Sequence, residues 1–209
     1  MKHPAKYSKE LLPIFNKYLH GIKDVLDPFG GTGKLLEIVP TATILEIEPE
    51  WAGMSNAIIG DATDLPFKNE SFSAVCTSPT YGNRMADSFV DGKPEKKYIR
   101  NTYTHTLGRK LSKNNSGCMQ WGDKYRKIHE LAWREVKRVL KPQGLFLLNI
   151  SNHIRNKKEI NVAEWHLQTI LTYGFQLIKE ERIKTKRQRM GENKEARVDH
   201  EKVYVFIKI

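Results

Sequence analysis

Two short segments of this chain hold residue types whose chemistry depends on close placement. The first is Asp27-Pro28-Phe29-Gly30-Gly31-Thr32-Gly33, which follows an apolar run. Glycines at such a point let the backbone approach a ligand without Cβ clashes. Acids follow at Glu46 and Glu48, about twenty positions after the loop begins, and an acid at the tip of a second strand can accept hydrogen bonds from both hydroxyls of a ribose. The loop lacks the Gly-Lys-Ser/Thr ending of a phosphate loop, which disfavours nucleoside triphosphate hydrolysis. The second segment is Thr77-Ser78-Pro79-Thr80-Tyr81-Gly82. It sets a hydroxyl, a carbonyl beside proline and a phenol ring within four residues. Proline fixes φ and removes a donor, which helps to aim that carbonyl. Each segment alone also reads as a tight turn; their placement after successive strands favours a site.

The elements that must position them are legible from periodicity. Ser8–Tyr18 reads as an amphipathic helix, with Leu11, Leu12, Phe15 and Leu19 at helical spacing and Ser8 as N-cap. Ile22–Asp27 reads as a buried strand, Lys34–Val39 as a helix start, Thr43–Ile47 as a second strand, Ala57–Ile59 as a short third and Phe72–Thr77 as a fourth. From Tyr81 to Gly122 the chain is polar and without clear period, a length that in a compact domain marks function or disorder. Lys124–Leu140 carries one apolar helical face, stopped by Pro142 and Gly144. Leu145–Ile150 is a fifth strand, Val162–Tyr173 a helix ending at Gly174, and Phe175–Lys184 and Lys202–Ile209 are two last strands. The alternation predicts an α/β fold, a mostly parallel seven-stranded sheet with helices on both faces and an antiparallel C-terminal hairpin at one side.

With the loops placed, a resemblance emerges. DPFGGTG resembles the cofactor loop of class I methyltransferases, in the DPF-x-G-S/T-G form found in amino-methyltransferases of DNA and RNA. The resemblance implies a Rossmann-like fold and S-adenosylmethionine, with Asp27, Pro28, Phe29, Gly30, Gly31 and Gly33 around its amino-acid end. Glu46, in LEIEPEW, resembles the ribose-binding acid, with Ile47 beside it; Asp61, in GDATDLPF, resembles the adenine-contacting acid, with Ala62 beside it. TSPTYG resembles the D/N/S-P-P-Y/F/W signature of DNA amino-methyltransferases, departing at Thr80, where the second proline would stand; that departure implies a looser backbone aim. The implied catalytic residues are Ser78, Pro79 and Tyr81. An exocyclic base amine is a poor nucleophile because its lone pair is delocalised. Ser78 and a carbonyl beside Pro79 would accept its two N–H groups, and Tyr81 would stack on the base. His3-Pro4-Ala5-Lys6-Tyr7 resembles the HPA-K/P-F/Y segment that walls the methionine end, which adds Tyr7 to the cofactor site. TSPTYGNRMAD, NTYTHTLGR, NSGCMQWGDKYR and EARVDHEKVYVF resemble small phage- or prophage-type DNA methylases. The amine is cytosine N4 or adenine N6, with Ser78 leaning to cytosine. Competing readings are an RNA guanine-N2 methyltransferase, which usually carries an extra RNA-binding domain, and a non-catalytic nucleic-acid-binding module on the same fold.

Charge supports a polyanionic partner. The 209 residues carry a net charge of +11, a field that attracts nucleic acid. Basic residues crowd into Lys93–Lys113 and Lys179–Arg197, the first interleaved with Tyr98 and Tyr103 and followed by Trp121. Residues 83–121 are therefore expected to be a substrate-handling insertion within one methyltransferase domain, 1–209. Asn83, Arg84, Arg100, Arg109 and Lys110 are the candidate substrate contacts. His105, His129 and His166 read as surface or core residues. Cys76 and Cys118 lack metal-ligand spacing and read as free thiols of a reducing compartment. No secretory signal and no membrane span is expected, so the cytoplasm is the expected location.

Overall fold

The structure is a computed structural model that describes Tyr7 and residues 10–82, 103–185 and 198–209. Helix α1 (Leu11–Leu19) leads into β1 (Val25–Asp27), a single 3-10 turn (Lys34–Glu37), β2 (Thr43–Glu46), the short helix α2 (Pro49–Ala52), β3 (Ile58–Ile59) and β4 (Phe72–Thr77). After α3 (Tyr103–Leu107) and a second 3-10 turn (Ser116–Cys118) come the long helix α4 (Asp123–Val139) and β5 (Leu140–Ile150). A hairpin, β6 (His153–Arg155) and β7 (Lys158–Ile160), precedes α5 (Val162–Thr172), β8 (Phe175–Lys184) and β9 (His200–Lys208).

The main sheet has seven strands in the order β3-β2-β1-β4-β5-β9-β8. Neighbouring pairs from β3 to β5 are parallel, and β9 runs antiparallel to both β5 and β8. This is the mostly parallel seven-stranded α/β sheet with an antiparallel C-terminal hairpin that the alternation of elements predicts. Winding proceeds outward from β1 through β2 to β3, then returns to β4 on the other side of β1. The loops after β1 and β4 thus diverge at the carboxyl edge, the crevice where such sheets hold ligands.

Strand periodicity divides the core between two faces. Leu26, Val75, Phe146, Leu148, Tyr204 and Phe206 pack on one side with Tyr125, Ala132, Trp133 and Val136 of α4. Val25, Ala74, Cys76, Leu147, Val203 and Val205 pack on the other against Leu11, Phe15 and Leu19 of α1. Helices thus cover both faces. Both cysteines are free, Cys76 buried and Cys118 exposed. No helix among the described residues is long and apolar enough to cross a membrane.

Three local readings change. The helix expected at Lys34–Val39 is one 3-10 turn, because Gly33 enters it left-handed at φ +72° and Pro40 follows closely. Helix α4 ends at Val139, before Pro142 and Gly144, and β5 starts at once. There the ladder jumps from Phe72↔Leu140 to Ala74↔Leu145, and Gln143 sits at φ +61°. Pro142 occupies this bulge, which tolerates its missing N–H. The β6–β7 hairpin was not expected; Asn156 and Lys157 both adopt positive φ, the geometry of a primed two-residue turn without its usual glycine. Ser8, expected to cap α1, lies outside the described residues.

Candidate active site

A cavity of about 350 Å³ opens at the carboxyl edge, between the loops after β1, β2, β3 and β4. Of the residues expected at a cofactor, Tyr7, Pro28, Phe29, Gly30, Gly31, Glu46, Ile47, Asp61 and Ala62 line it. Asp27 and Gly33 stand behind this surface rather than in it. Asp27 is fully buried; it accepts hydrogen bonds from the Tyr7 hydroxyl, from Thr77 Oγ1 at 2.6 Å and from Phe29 N at 3.1 Å. It ties Tyr7, the first loop and the end of β4 together. Burial raises its carboxyl to about 6, against the opposing pull of those donors. Gly30 is dictated by space, since a Cβ there would lie 2.3 Å from Ile44 Cγ2. Gly30→Ala is expected to destabilise the fold by roughly 1–3 kcal/mol through overpacking, read as a lower urea midpoint.

Glu46 reaches the cavity from the end of β2. One carboxylate oxygen accepts Gly31 N at 2.9 Å and the other accepts Glu48 N at 2.9 Å. Burial raises its carboxyl to about 7, the Glu48 charge adds to this, and the backbone donors oppose it. A carboxylate offers about four lone-pair positions, so these backbone N–H groups leave Glu46 acceptor capacity toward the cavity. Asp61 accepts Thr63 N (2.9 Å) and Thr63 Oγ1 (2.8 Å) on one oxygen and Asn114 Nδ2 (2.7 Å) on the other. Ile47, Ala62, Phe29 and Ile128 supply an apolar lining.

The opposite wall is the loop after β4. Ser78, Pro79, Thr80 and Tyr81 all line the cavity. Ser78 Oγ and the Tyr81 hydroxyl are 3.2 Å apart, and Asn149 Nδ2, from β5, donates toward them at 3.0 and 2.9 Å. The looseness expected from Thr80 is countered by two anchors. Its hydroxyl donates to Ser116 Oγ at 2.8 Å, and its carbonyl accepts from the Tyr125 hydroxyl at 2.7 Å. The second anchor belongs to a directed chain. Trp133 Nε1 donates to His166 Nδ1 at 3.0 Å, so the proton of neutral His166 sits on Nε2 and points to the Tyr125 hydroxyl 3.0 Å away. Burial holds His166 well below its ordinary range, with neighbouring His129 adding to the effect. His129, also buried, is held down to about 4. Both are core residues, as expected.

These features meet a matching family profile. The family described as DNA methylase (N6/N4 methyltransferases) matches residues 72–208, about two thirds of the chain. The chain belongs to this DNA methylase family. No curated relative matches the methylase significantly. Solved structures similar to it show the fold alone. One is an S-adenosylmethionine-dependent methyltransferase from Methanosarcina mazei, at 14% identity and TM-score 0.57, covering 94% of this chain and 97% of that one. A second is a putative S-adenosylmethionine-dependent methyltransferase from Listeria monocytogenes, at 10% and 0.52, covering 94% and 97%. A third is 1,6-didemethyltoxoflavin-N1-methyltransferase from Burkholderia thailandensis, with bound S-adenosylhomocysteine, at 12% and 0.56, covering 96% and 77%.

The described part of the expected insertion does not behave as a loose loop in the methylase. Residues 103–121 form α3, a 3-10 turn and a wall over the acidic end of β2. Tyr103 meets Trp51 edge-on at 5.4 Å, and Tyr103, Asn114, Asn115 and Ser116 line the cavity. Arg109, expected at the substrate, is committed elsewhere. Its guanidinium donates to Glu48 at 2.8 Å and to Glu50 at 2.9 Å through Nε. Glu48 is fully buried and also accepts Ser112 N at 2.7 Å and Asn115 Nδ2 at 2.8 Å. This explains why Glu46 and not Glu48 faces the cavity. Removing the cation would leave Glu48 underpaired, so Arg109→Ala is expected to lower stability by about 2 kcal/mol, measured by urea denaturation. Lys110, beside it, is exposed. Asn83, Arg84 and Arg100 lie outside the described residues, as does the segment before Tyr7.

Sequence reasoning missed Glu201, Trp51, Asn114 and Asn115 as cavity residues. Asn114-Asn115-Ser116-Gly117 reads as a turn, and only the fold brings it over β2 and β3. Glu201 lay within EARVDHEKVYVF, a stretch noted for resemblance and given no role. Among the described residues no group of His, Cys, Asp or Glu could hold a metal ion.

Proposed function

We propose that this methylase transfers a methyl group from S-adenosylmethionine to an exocyclic amine of a DNA base, cytosine N4 or adenine N6. One observation carries the reading: a single cavity has a ribose-type acid and glycine loop on one wall and the Ser78–Tyr81 loop on the other. The residues fit the cofactor. Glu46 retains acceptor capacity for the ribose hydroxyls, Asp61 and the apolar lining suit an adenine, and Gly31 leaves its surface open for the amino-acid portion. Bound S-adenosylmethionine supplies an electrophilic methyl group on a sulfonium.

The chain's own contribution is orientation. Ser78 Oγ accepts one amine N–H and a carbonyl beside Pro79 accepts the other, turning the lone pair toward the methyl. Tyr81 stacks on the base, which contributes roughly 1–3 kcal/mol toward the few kcal/mol needed to unstack it. The net charge of +11 draws the phosphate backbone, with Arg100 and Lys110 the candidate contacts and Asn83 and Arg84 candidates for a phosphate or the base.

The test is incubation with labelled S-adenosylmethionine and either unmethylated DNA or bulk tRNA, followed by nucleoside digestion and mass spectrometry. The expected product is N4-methyldeoxycytidine or N6-methyldeoxyadenosine. N2-methylguanosine from tRNA alone would move the substrate to RNA. No product with either, alongside normal cofactor binding, would leave a binding module.

A further inference from the structure

Resting on the reading of the site just given, we infer that Glu201 is a further catalytic residue, whose carboxylate shares with Ser78 Oγ one N–H of the base amine and receives the proton released on methylation. Topology brings it there. The parallel strands deliver their last residues to the carboxyl edge, and only an antiparallel strand delivers its first residues to the same edge. β9 is that strand, paired with β5 so that Asn149 faces Val203. Glu201, two residues earlier, is then the diagonal neighbour of Asn149 on the same face. Ser151 Oγ donates to the His200 carbonyl at 3.1 Å, fixing the start of β9 against the end of β5.

The contacts follow from this register. Asn149 Nδ2 lies 3.0 Å from Glu201 Oε2, 3.0 Å from Ser78 Oγ and 2.9 Å from the Tyr81 hydroxyl. Glu201 lines the cavity with Ser78, Pro79 and Tyr81. The other acids lining it, Glu46 and Asp61, stand at the ends of β2 and β3, on the opposite wall. Glu201 is therefore the acid at the wall where the amine is proposed to sit.

The chemistry gives such a group a role. The nitrogen forms a bond to the methyl carbon as the carbon–sulfur bond breaks, and its electron pair leaves with sulfur as the neutral thioether. The nitrogen now carries a positive charge and must lose a proton. A serine hydroxyl or a peptide carbonyl accepts a hydrogen bond but is a far weaker base than a carboxylate. A carboxylate accepts the hydrogen bond before transfer, takes the proton as charge develops and returns it to water.

Glu201→Gln separates this role from packing, because the amide oxygen still accepts from Asn149 while the amide group cannot take a proton. Methyl transfer is expected to fall about a hundredfold, with S-adenosylmethionine affinity by calorimetry unchanged. A second readout needs neither cofactor nor turnover. Anisotropy titration of the free protein with oligo-dC against oligo-dU, and oligo-dA against oligo-dI, compares an amine with a carbonyl at the same ring position. Wild type is expected to prefer the amine-bearing strand of at least one pair by about tenfold. Glu201→Gln, which can donate to a carbonyl, should lose that preference. Glu201→Ala should recover transfer in proportion to added formate. If Glu201→Gln keeps the preference and transfers within about threefold of wild type, or if formate restores nothing, Glu201 is a packing residue. Failure of the wild type to methylate DNA or tRNA would instead remove the reading of the whole site.

Discussion

Glu46→Ala is expected to lose most of the affinity for S-adenosylmethionine. Two ribose hydroxyls would each forfeit a charged acceptor, and a hydrogen bond to a charged group contributes about 1.5–3 kcal/mol. One such bond lost outright already predicts a drop of ten- to a hundredfold, and two predict more. Arg109, Ser112 and Asn115 hold Glu48 away from the cavity, so it offers no substitute. Wild type carries a matching pH signature. Burial raises Glu46 to about 7, and only the ionised carboxylate accepts from both hydroxyls. Affinity should therefore climb with pH, up to about tenfold per unit below neutrality, and level off above it. Glu46→Ala should lose that slope. Stability of the free protein should run the other way. Asp27, at about 6, and Glu46, at about 7, hold protons more tightly folded than unfolded. Their contribution is greatest below the ordinary carboxylate range near 4 and is lost as pH rises through the two raised values. Calorimetric titration and thermal melting across pH 5 to 8 check both. A flat affinity profile in wild type would remove Glu46 from the ribose.

How much of this was legible in the sequence depends on whether a residue's role is local. Asp27, Gly30, Glu46, Ser78 and Tyr81 stand at strand ends, where the change from apolar run to turn is visible in the chain itself. The mostly parallel sheet and its antiparallel C-terminal hairpin followed from the alternation of periods; the order of the strands, and with it the crevice beside the first and fourth, came only from the structure. Partners that arrive by crossover did not show. Asn149, Glu201 and Tyr125, on β5, β9 and α4, act at the second loop from 68, 120 and 44 positions beyond Tyr81 in the chain (149 − 81, 201 − 81 and 125 − 81). Arg109 misled for a related reason. A cation in a polar, aperiodic stretch reads as solvent-facing, and its commitment to Glu48 appears only once α2 and α3 are placed together. Thr80 is the instructive case. Read alone it weakens the loop by removing a proline, yet Ser116 and the Trp133–His166–Tyr125 chain restrain its hydroxyl and carbonyl from outside. Backbone aim that a second proline would supply covalently is supplied here by packing and directed hydrogen bonds.

Tyr81→Ala should lose methyl transfer while cofactor affinity stays near wild type. Its ring stands at the wall away from Glu46, and its hydroxyl belongs to the Ser78 and Asn149 cluster, not to the ribose end of the cavity. The lost stacking predicts a penalty of roughly 1–3 kcal/mol, about ten- to a hundredfold in rate where it is felt mainly in the transition state. Tyr81→Phe divides the ring from the hydroxyl. If stacking is the main contribution, Phe keeps most of the rate, because Asn149 Nδ2 still reaches Ser78 Oγ at 3.0 Å and Glu201 Oε2 at 3.0 Å. If the hydroxyl is what sets Ser78, Phe falls with Ala, and Ser78→Ala falls alongside both. Single-turnover transfer to unmethylated DNA, with calorimetry of S-adenosylmethionine on each variant, distinguishes the cases. Full activity of Tyr81→Ala and Ser78→Ala together would take the chemistry away from this loop, even with the cofactor end of the cavity intact.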